Sequence, residues 1–282
     1  MFEYRKLRHE DYDDIVDIAK DIWGGSDYLP EVFHGWVDYP AEFIGGVDTL
    51  KNKVVSAGRY SVLYDGTGWI EALRVHKDYR GMKLGLGILE ALFSKAEEDM
   101  KAGKIIKIAC STYYSNLESV GMLTKFGFKP ADRQILIHKT DCLKKQDDFN
   151  YEPWNISFDE FMNLEYFKRR NGIIQLAFIF QRPTKELYNE FIEDKCFVRI
   201  NGMRGFYKYK GEPYFIAVDD HFEAIDTLMD YYVLTNSHRV PFISPSTSIM
   251  PCDRELIDKL KTAGYHAGND WQPNYFYLVY GK

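Results

Sequence analysis

WIEALRVHKDYRGMKLGLGILEAL, residues Trp69 to Leu92, carries the reading of the whole chain. Gly68 to Val75 reads as a strand and Gly85 to Met100 as a helix, so the glycine-bearing stretch between them turns from one into the other. A helix start exposes backbone N–H groups that lack carbonyl partners, and the helix dipole adds partial positive charge. Gly81 and Gly85 would let an anionic group come close to that backbone, and Arg80 and Lys83 would add charge to hold a pyrophosphate. By themselves these residues fit an exposed basic turn equally well.

The surrounding elements place the stretch in an α/β order. Asp11 to Trp23 carries Ile15, Ile18, Ala19 and Ile22 at the spacing of an amphipathic helix, and Phe33 to Val37 reads as a second, short one. Glu42–Val47 and Lys53–Leu63 read as strands, with TLKN and YDGT as hairpin turns. After the helix come a strand, Ile105–Ser111, a helix, Ser115–Lys125, stopped by Gly127, and a strand, Arg133–Lys139. TDCLKKQDDFNYEP, Thr140 to Pro153, is polar and aperiodic and predicts a linker between two domains.

The second half repeats the plan. GEPYFIAVDDHFEAIDTLMDYY follows the strand-loop-helix order of Trp69–Leu92, and RELIDKLKTAGYHAGNDWQPNYFYLVYGK closes as ESVGMLTKFGFKPADRQILIHK does, with Gly127-Phe128 and Gly264-Tyr265 in equivalent places. Two diverged copies of one fold is the reading; a chance likeness of two generic units is the alternative. In the second copy Asp219 and Asp220 stand where the first has its glycine loop, and two carboxylates would repel a pyrophosphate. One anion site per chain is therefore expected. SPSTSIMPCD, Ser244 to Asp253, reads as a hydroxyl-rich loop that would hold a substrate carboxylate, or as an exposed loop.

Composition narrows the function classes. The chain has 282 residues, 45% hydrophobic and 28% charged, enough for a sizeable core. A formal charge of −6 implies no large basic face, so a nucleic-acid partner is not expected. The opening MFEYRKLRHEDYDD lacks the apolar core of a signal peptide, and no apolar run approaches a membrane span. Cys110, Cys142, Cys196 and Cys252 form no C-x-x-C pair, so neither zinc nor a disulfide is expected. A reduced, cytoplasmic setting with cysteines as core filler fits best.

Trp69–Leu92 resembles the acetyl-CoA-binding stretch of the GNAT superfamily of N-acetyltransferases. There an acidic strand residue precedes a V-x-P-x-x-R-G-x-G-x-G loop and a helix carrying LLEAL. Glu71, Val75, Tyr79, Arg80, Gly81, Gly85 and the ILEAL from Ile88 fall in register; Lys77 replaces the usual proline and Lys83 the usual middle glycine. SNLESVGMLTKFGF resembles the superfamily's helix beside the pantetheine arm, through Asn116, Ser119, Met122, Lys125, Gly127 and Phe128. GGSDYLPEVFHGW, Gly24 to Trp36, resembles a segment of the histidine N-acetyltransferase-like branch, which also carries a GNAT-like C-terminal half. That segment reads alternatively as a capped turn, with Ser26 or Asp27 as N-cap and Pro30 at a helix start.

The resemblance implies an α/β (α+β) fold with a GNAT-type mixed central sheet flanked by helices, then a degenerate second copy. The implied domains are 1–140, a linker 141–153, and 154–282. It implies acetyl-CoA held by Leu73, Arg74, Val75, Arg80, Gly81, Met82, Lys83, Leu84, Gly85 and Asn116, with no metal. Asp27, Tyr28 and Tyr113 are the implied acceptor-side residues. Glu71 holds the position of a general base for the attacking amine, or pairs with a cation such as Arg59 or Arg74. An N–H near Leu73 to Val75 would stabilise the oxyanion. Leu123 stands where relatives commonly place a tyrosine acid, and Tyr113 or Tyr114 reads as a substitute or as a packed aromatic. His76 reads as structural or solvated. Lys83 has two readings: in an ordinary helical first turn lysine is tolerated and its ammonium can face the phosphates, whereas at positive φ a non-glycine residue is strained. A modified but occupied site is the favoured reading. The implied function is an acetyl-CoA-dependent N-acetyltransferase acting on the primary amine of a small molecule, such as an amino acid. The alternatives are a protein N-acetyltransferase and a catalytically silent acyl-CoA-binding protein.

Overall fold

The computed structural model describes residues 1–25, 27–140, 142, 144–208, 214–236 and 246–281. The chain forms two compact units, Met1–Cys110 with Val279–Gly281, and Ser111–Leu278. This division falls within a strand, well before the polar stretch after residue 140.

The first unit runs β1 (Phe2–Lys6), α1 (Tyr12–Ala19), α2 (Leu29–Asp38), β2 (Glu42–Asp48), β3 (Lys53–Val62), β4 (Thr67–Val75), α3 (Leu84–Lys101) and β5 (Lys107–Tyr113), which crosses the division. Its sheet has the order β1-β2-β3-β4-β5, antiparallel except for the parallel β4–β5 pair. Ile15 and Ile18 of α1 and Leu29 and Phe33 of α2 pack with Phe43, Ala57 and Ala72 on one face of this sheet. The other face takes α3, which comes close because Gly58 lacks a side chain: a Cβ there would lie 2.4 Å from Ile88 Cγ2. The helix expected over Asp11–Trp23 ends at Ala19, since Trp23, Gly24 and Gly25 all have left-handed φ. Strand β1, hidden among charges in the sequence, is the edge strand, where such residues suit exposure to water.

The second unit begins with the end of β5 and continues through α4 (Leu117–Phe126), β6 (Phe128–His138), β7 (Tyr151–Pro153), α5 (Phe158–Met162), α6 (Glu165–Arg169), β8 (Ile174–Leu176), β9 (Ile179–Gln181) and α7 (Lys185–Glu193). Then come β10 (Phe197–Ile200), β11 (Met203–Lys208), β12 (Tyr214–Ala217), α8 (Phe222–Asn236), β13 (Ser246–Ile249), α9 (Arg254–Thr262), β14 (His266–Ala267) and β15 (Tyr275–Tyr280), whose end belongs to the first unit. The order β2-β3-β4-α3-β5-α4 thus recurs as β10-β11-β12-α8-β13-α9. Strands β12-β11-β10-β7 form one antiparallel sheet, while β6 pairs with β13 and β14. Val198, Ile200, Tyr207 and Phe215 of the four-stranded sheet pack under Ile225, Leu228 and Tyr232 of α8.

Three expectations change here. Residues Tyr151–Pro153, read as the end of a linker, form an edge strand paired to β10, where the proline costs no ladder bond to a further strand. The stretch Ser244–Asp253 is a loop only in part of its described residues: Ser246–Ile249 is a buried strand, with Thr247 donating to the Phe215 carbonyl at 2.7 Å, and Met250–Asp253 forms the turn after it. Ser244 itself lies outside the described residues, as does Ser26. Cys110 and Cys196 are buried as expected of core filler, whereas Cys252 is exposed.

Candidate active site

Strand β4 carries the site because of one irregularity. Its register against β3 slips between Arg59↔Glu71 and Ala57↔Arg74, so β4 has one extra residue there. Ala72, at φ +56°, absorbs it as a β-bulge. A left-handed alanine costs about 1–2 kcal/mol, and it sits in the core cluster beneath α1 and α2, which holds it in place. The bulge turns Glu71, Ala72 and Arg74 toward the α1/α2 face, while Leu73 turns toward α3, close to Gly58. The parallel pairing to β5 stops at Ile70↔Cys110, although β4 runs on to Val75. Among the described residues the edge of Glu71–Val75 on that side meets no strand.

The loop after β4 is fastened from beneath. His76 Nδ1 accepts the Asp78 N–H at 3.2 Å, leaving Nε2 to donate to Asp17 at 3.0 Å. His76 is therefore structural. The Tyr79 hydroxyl donates to Asp48 and accepts from Lys51 Nζ, both at 3.0 Å, and Leu84 packs with Tyr79 and Val55. Between these anchors Arg80, Gly81, Met82 and Lys83 are exposed. Gly81 has φ +80°, a conformation natural only to glycine.

Lys83 takes the strained of its two readings. It is not in a helical first turn but is the N-cap of α3 at φ +62°, the left-handed conformation for which the family's glycine is suited. The helix start has no side-chain cap. Among the described residues the N–H groups of Gly81 to Leu86 have no partner; the first intrahelical bond is Gly87 N–H to the Lys83 carbonyl at 3.0 Å. Six consecutive donors without a partner among the described residues, a dipole end and two exposed cations can accept an anionic group.

On the other face of β4, two cations are already committed. Arg59 pairs with Glu71, the alternative the sequence offered for that carboxylate, and its guanidinium carbon lies 4.4 Å from the Trp36 ring centroid and 5.3 Å from that of Tyr39. Arg74, expected at the cofactor, instead binds Asp27, expected at the acceptor, through Nε at 2.8 Å and Nη2 at 3.1 Å. The Asp27 side chain is fully buried and also accepts the Leu29 N–H at 3.3 Å. Burial works against the Arg74 charge, but the Asp27 carboxylate outweighs it and raises the guanidinium pKa. Tyr28 and Trp23 stack at 6.3 Å beside this pair. No residue in the pattern marks the bulge at Ala72; a glycine there would have.

In the second unit, Asn116 caps α4, its Oδ1 accepting the Ser119 N–H at 3.2 Å. Leu123 is buried. The Tyr113 ring is packed between Phe178 and Tyr275, with its hydroxyl 3.0 Å from that of Tyr275. Asp219 and Asp220 are not the bare carboxylates expected: Arg204 holds Asp219, while Arg170 and Arg169 hold Asp220. The start of α8 is closed by His221, which accepts the Ala224 N–H at 3.3 Å, in contrast to the open start of α3.

Comparison with known proteins agrees with this geometry. Residues 9–128 match the Acetyltransferase (GNAT) family. The matched segment, residues 9–128, is similar to that family. It contains the bulged strand, the loop and the helix that form the cradle, and the family implies an acyl-CoA cosubstrate. Over its length the chain resembles the GCN5-related N-acetyltransferase from Sphaerobacter thermophilus, at 12% identity and TM-score 0.65, covering 99% of this chain and 95% of that one. It also resembles two provisionally assigned acetyltransferases. The one from Thermoplasma acidophilum has 14% identity and TM-score 0.61, with 99% of each chain covered. The one from Pyrococcus horikoshii has 14% identity and TM-score 0.63, covering 100% of this chain and 89% of that one. At these identities the likeness shows the fold: a mixed α/β chain with a GNAT-like central sheet. No curated protein matches the sequence significantly. Among the described residues no helix is long and apolar enough to cross a membrane.

Proposed function

We propose that the chain transfers an acetyl group from acetyl-CoA to the primary amine of a small molecule, with amino acids as the first acceptor class to examine. The observation that carries the reading is the row of unpaired N–H groups from Gly81 to Leu86, framed by left-handed Gly81 and Lys83. We propose a functional division into an acetyl-CoA-binding copy over residues 1–140 and a degenerate copy over 154–282; of the connecting stretch 141–153, Tyr151–Pro153 belongs to the sheet of β10. The residues fit the group. The N–H row would take the pyrophosphate, and Arg80 and Lys83 would add charge. Bound acetyl-CoA supplies an acyl group on a thioester: the amine nitrogen takes it, loses a proton, and the sulfur departs.

Within that scheme Glu71 accepts the amine proton, directly or through water, and Arg59 is its positioning residue. The edge of β4 at Leu73–Val75 that faces away from β3, which among the described residues has no strand partner beyond Ile70, offers N–H groups to the oxyanion. A thiol with a pKa of about 8.5 leaves as thiolate at modest cost near neutral pH, so Leu123 in place of a tyrosine acid is compatible with turnover.

The pairing of Glu71 with Arg59 also favours a second reading, an acyl-CoA-binding protein without turnover. Thiol release from acetyl-CoA, measured over a panel of small amines, separates the two. Release with one amine class supports transfer. Saturable CoA binding with no release from any amine supports the silent binder, and no binding at all removes both.

A further inference from the structure

The loop after β12 is the second copy's counterpart of the cofactor loop, and it borders a cavity of about 350 Å³. Its walls include Asn163, Tyr166, Arg169, Arg204, Asp219 and Asp220. Asp220 keeps a left-handed backbone, φ +51°, as Gly81 does in the first copy. An aspartate there is strained, and it is retained because its carboxylate is pinned. Arg170 grips Asp220 in a buried bidentate pair, with Nη1–Oδ2 2.8 Å and Nη2–Oδ1 2.9 Å. Arg169 adds an ion pair at 3.0 Å. Asp219 accepts both the side chain and the backbone N–H of Arg204, the latter at 3.0 Å.

Formal charge in and around the cavity balances: Arg169, Arg170, Arg204 and Lys168 against Glu165, Asp219, Asp220 and Asp253. Hydrogen-bonding capacity does not. All four oxygens of Asp219 and Asp220 already accept from arginine groups. Arg204 keeps Nη1 without a partner among the described residues, and Arg169 makes ion pairs but no hydrogen bond there. Both arginines remain open to solvent, with side chains 47% and 40% exposed. The cavity therefore offers spare guanidinium N–H donors beside two carboxylates whose oxygens are taken, with one oxygen of the exposed Glu165 left over. His221 closes the helix start that would otherwise serve a phosphate.

We propose that this cavity binds a small carboxylate through Arg169 and Arg204, at a site separate from the acetyl-CoA cradle. The loss of the glycine loop in the second copy then marks an exchange of backbone donors for guanidinium donors. Calorimetric titration of the full chain at low ionic strength with succinate, and separately with inorganic phosphate, tests it. One-site binding of succinate, tighter than phosphate, is expected. Arg169→Gln or Arg204→Gln should weaken it about tenfold, the worth of one charge-assisted hydrogen bond. CoA binding in the same variants should not change, which keeps this test independent of the proposed function. No saturable heat with succinate, equal affinity in both variants, or tighter binding of phosphate would overturn the assignment. Arg170, which holds the fold together beneath the cavity, stays intact in both variants.

Discussion

Arg74 holds Asp27 by two hydrogen bonds of 2.8 and 3.1 Å, joining the end of β4 to the start of α2 across 47 residues of sequence. Both partners are removed from water, so breaking the pair leaves an uncompensated charge. Asp27→Asn should lower stability by about 3–5 kcal/mol in urea unfolding, whereas the double change Asp27→Leu with Arg74→Met should recover most of it. A single variant as stable as the parent would return Asp27 to the acceptor site.

Lys83 at φ +62° makes a contrasting pair of tests. Lys83→Gly relieves a left-handed side chain, a gain of about 1–2 kcal/mol, against about 0.5–1 kcal/mol of glycine entropy in the unfolded chain. Stability should rise slightly and CoA binding should persist. Lys83→Ala keeps the strain and removes the charge, so it should weaken CoA binding in a salt-dependent way. Equal CoA affinity in parent and Lys83→Ala at low salt would show that the ammonium does not face the phosphates.

Gly85 separates folding from binding. It lies in the first turn of α3, among the unpaired N–H groups. A carboxylate there favours the helix dipole by about 0.3–1 kcal/mol but occupies the donors and repels a pyrophosphate. Gly85→Asp should therefore melt no lower than the parent and bind CoA at least about tenfold more weakly. Unchanged CoA affinity by calorimetry would move the cofactor site elsewhere.

Glu71→Gln tests the base. If Glu71 takes the amine proton, kcat should fall about 10²–10⁴-fold, and the loss should shrink at high pH, where the amine deprotonates unaided. Arg59→Lys, which keeps a charge but loses the planar fork, should shift the pH profile more than it lowers CoA binding. A Glu71→Gln enzyme with unaltered kcat across pH would leave Glu71 as the ion-pair partner of Arg59 alone.

Local motifs were legible because they follow from local rules. The turn from strand to helix and the buried face of α1 both come from composition and period within a dozen residues. What escaped is set by distant pairing. The family resemblance implied Arg74 and Asp27 as site residues, yet each neutralises the other. Ala72 carries no mark of its bulge. The division within β5 escaped because β6 finds its partners in β13 and β14, more than a hundred residues on, and Val279–Gly281 joins the first unit. The asymmetry between the copies was visible as Asp219 and Asp220, but their arginine partners were not.

His138 gives the second unit a pH dependence that can be checked alone. On β6 it faces His266 of β14 as a register partner, with ring centroids 5.6 Å apart. Burial first, and the neighbouring His266 second, lower its pKa from the ordinary 6.5. The unfolded chain then binds the proton more readily than the folded one below pH 6.5. Stability from this group is full above pH 6.5 and is lost as pH falls from there toward the lowered folded value. Thermal unfolding from pH 7.5 down to 5 should show Tm falling through that window, and His138→Gln should flatten the fall. A variant whose Tm keeps the parent's slope would assign the dependence to other groups.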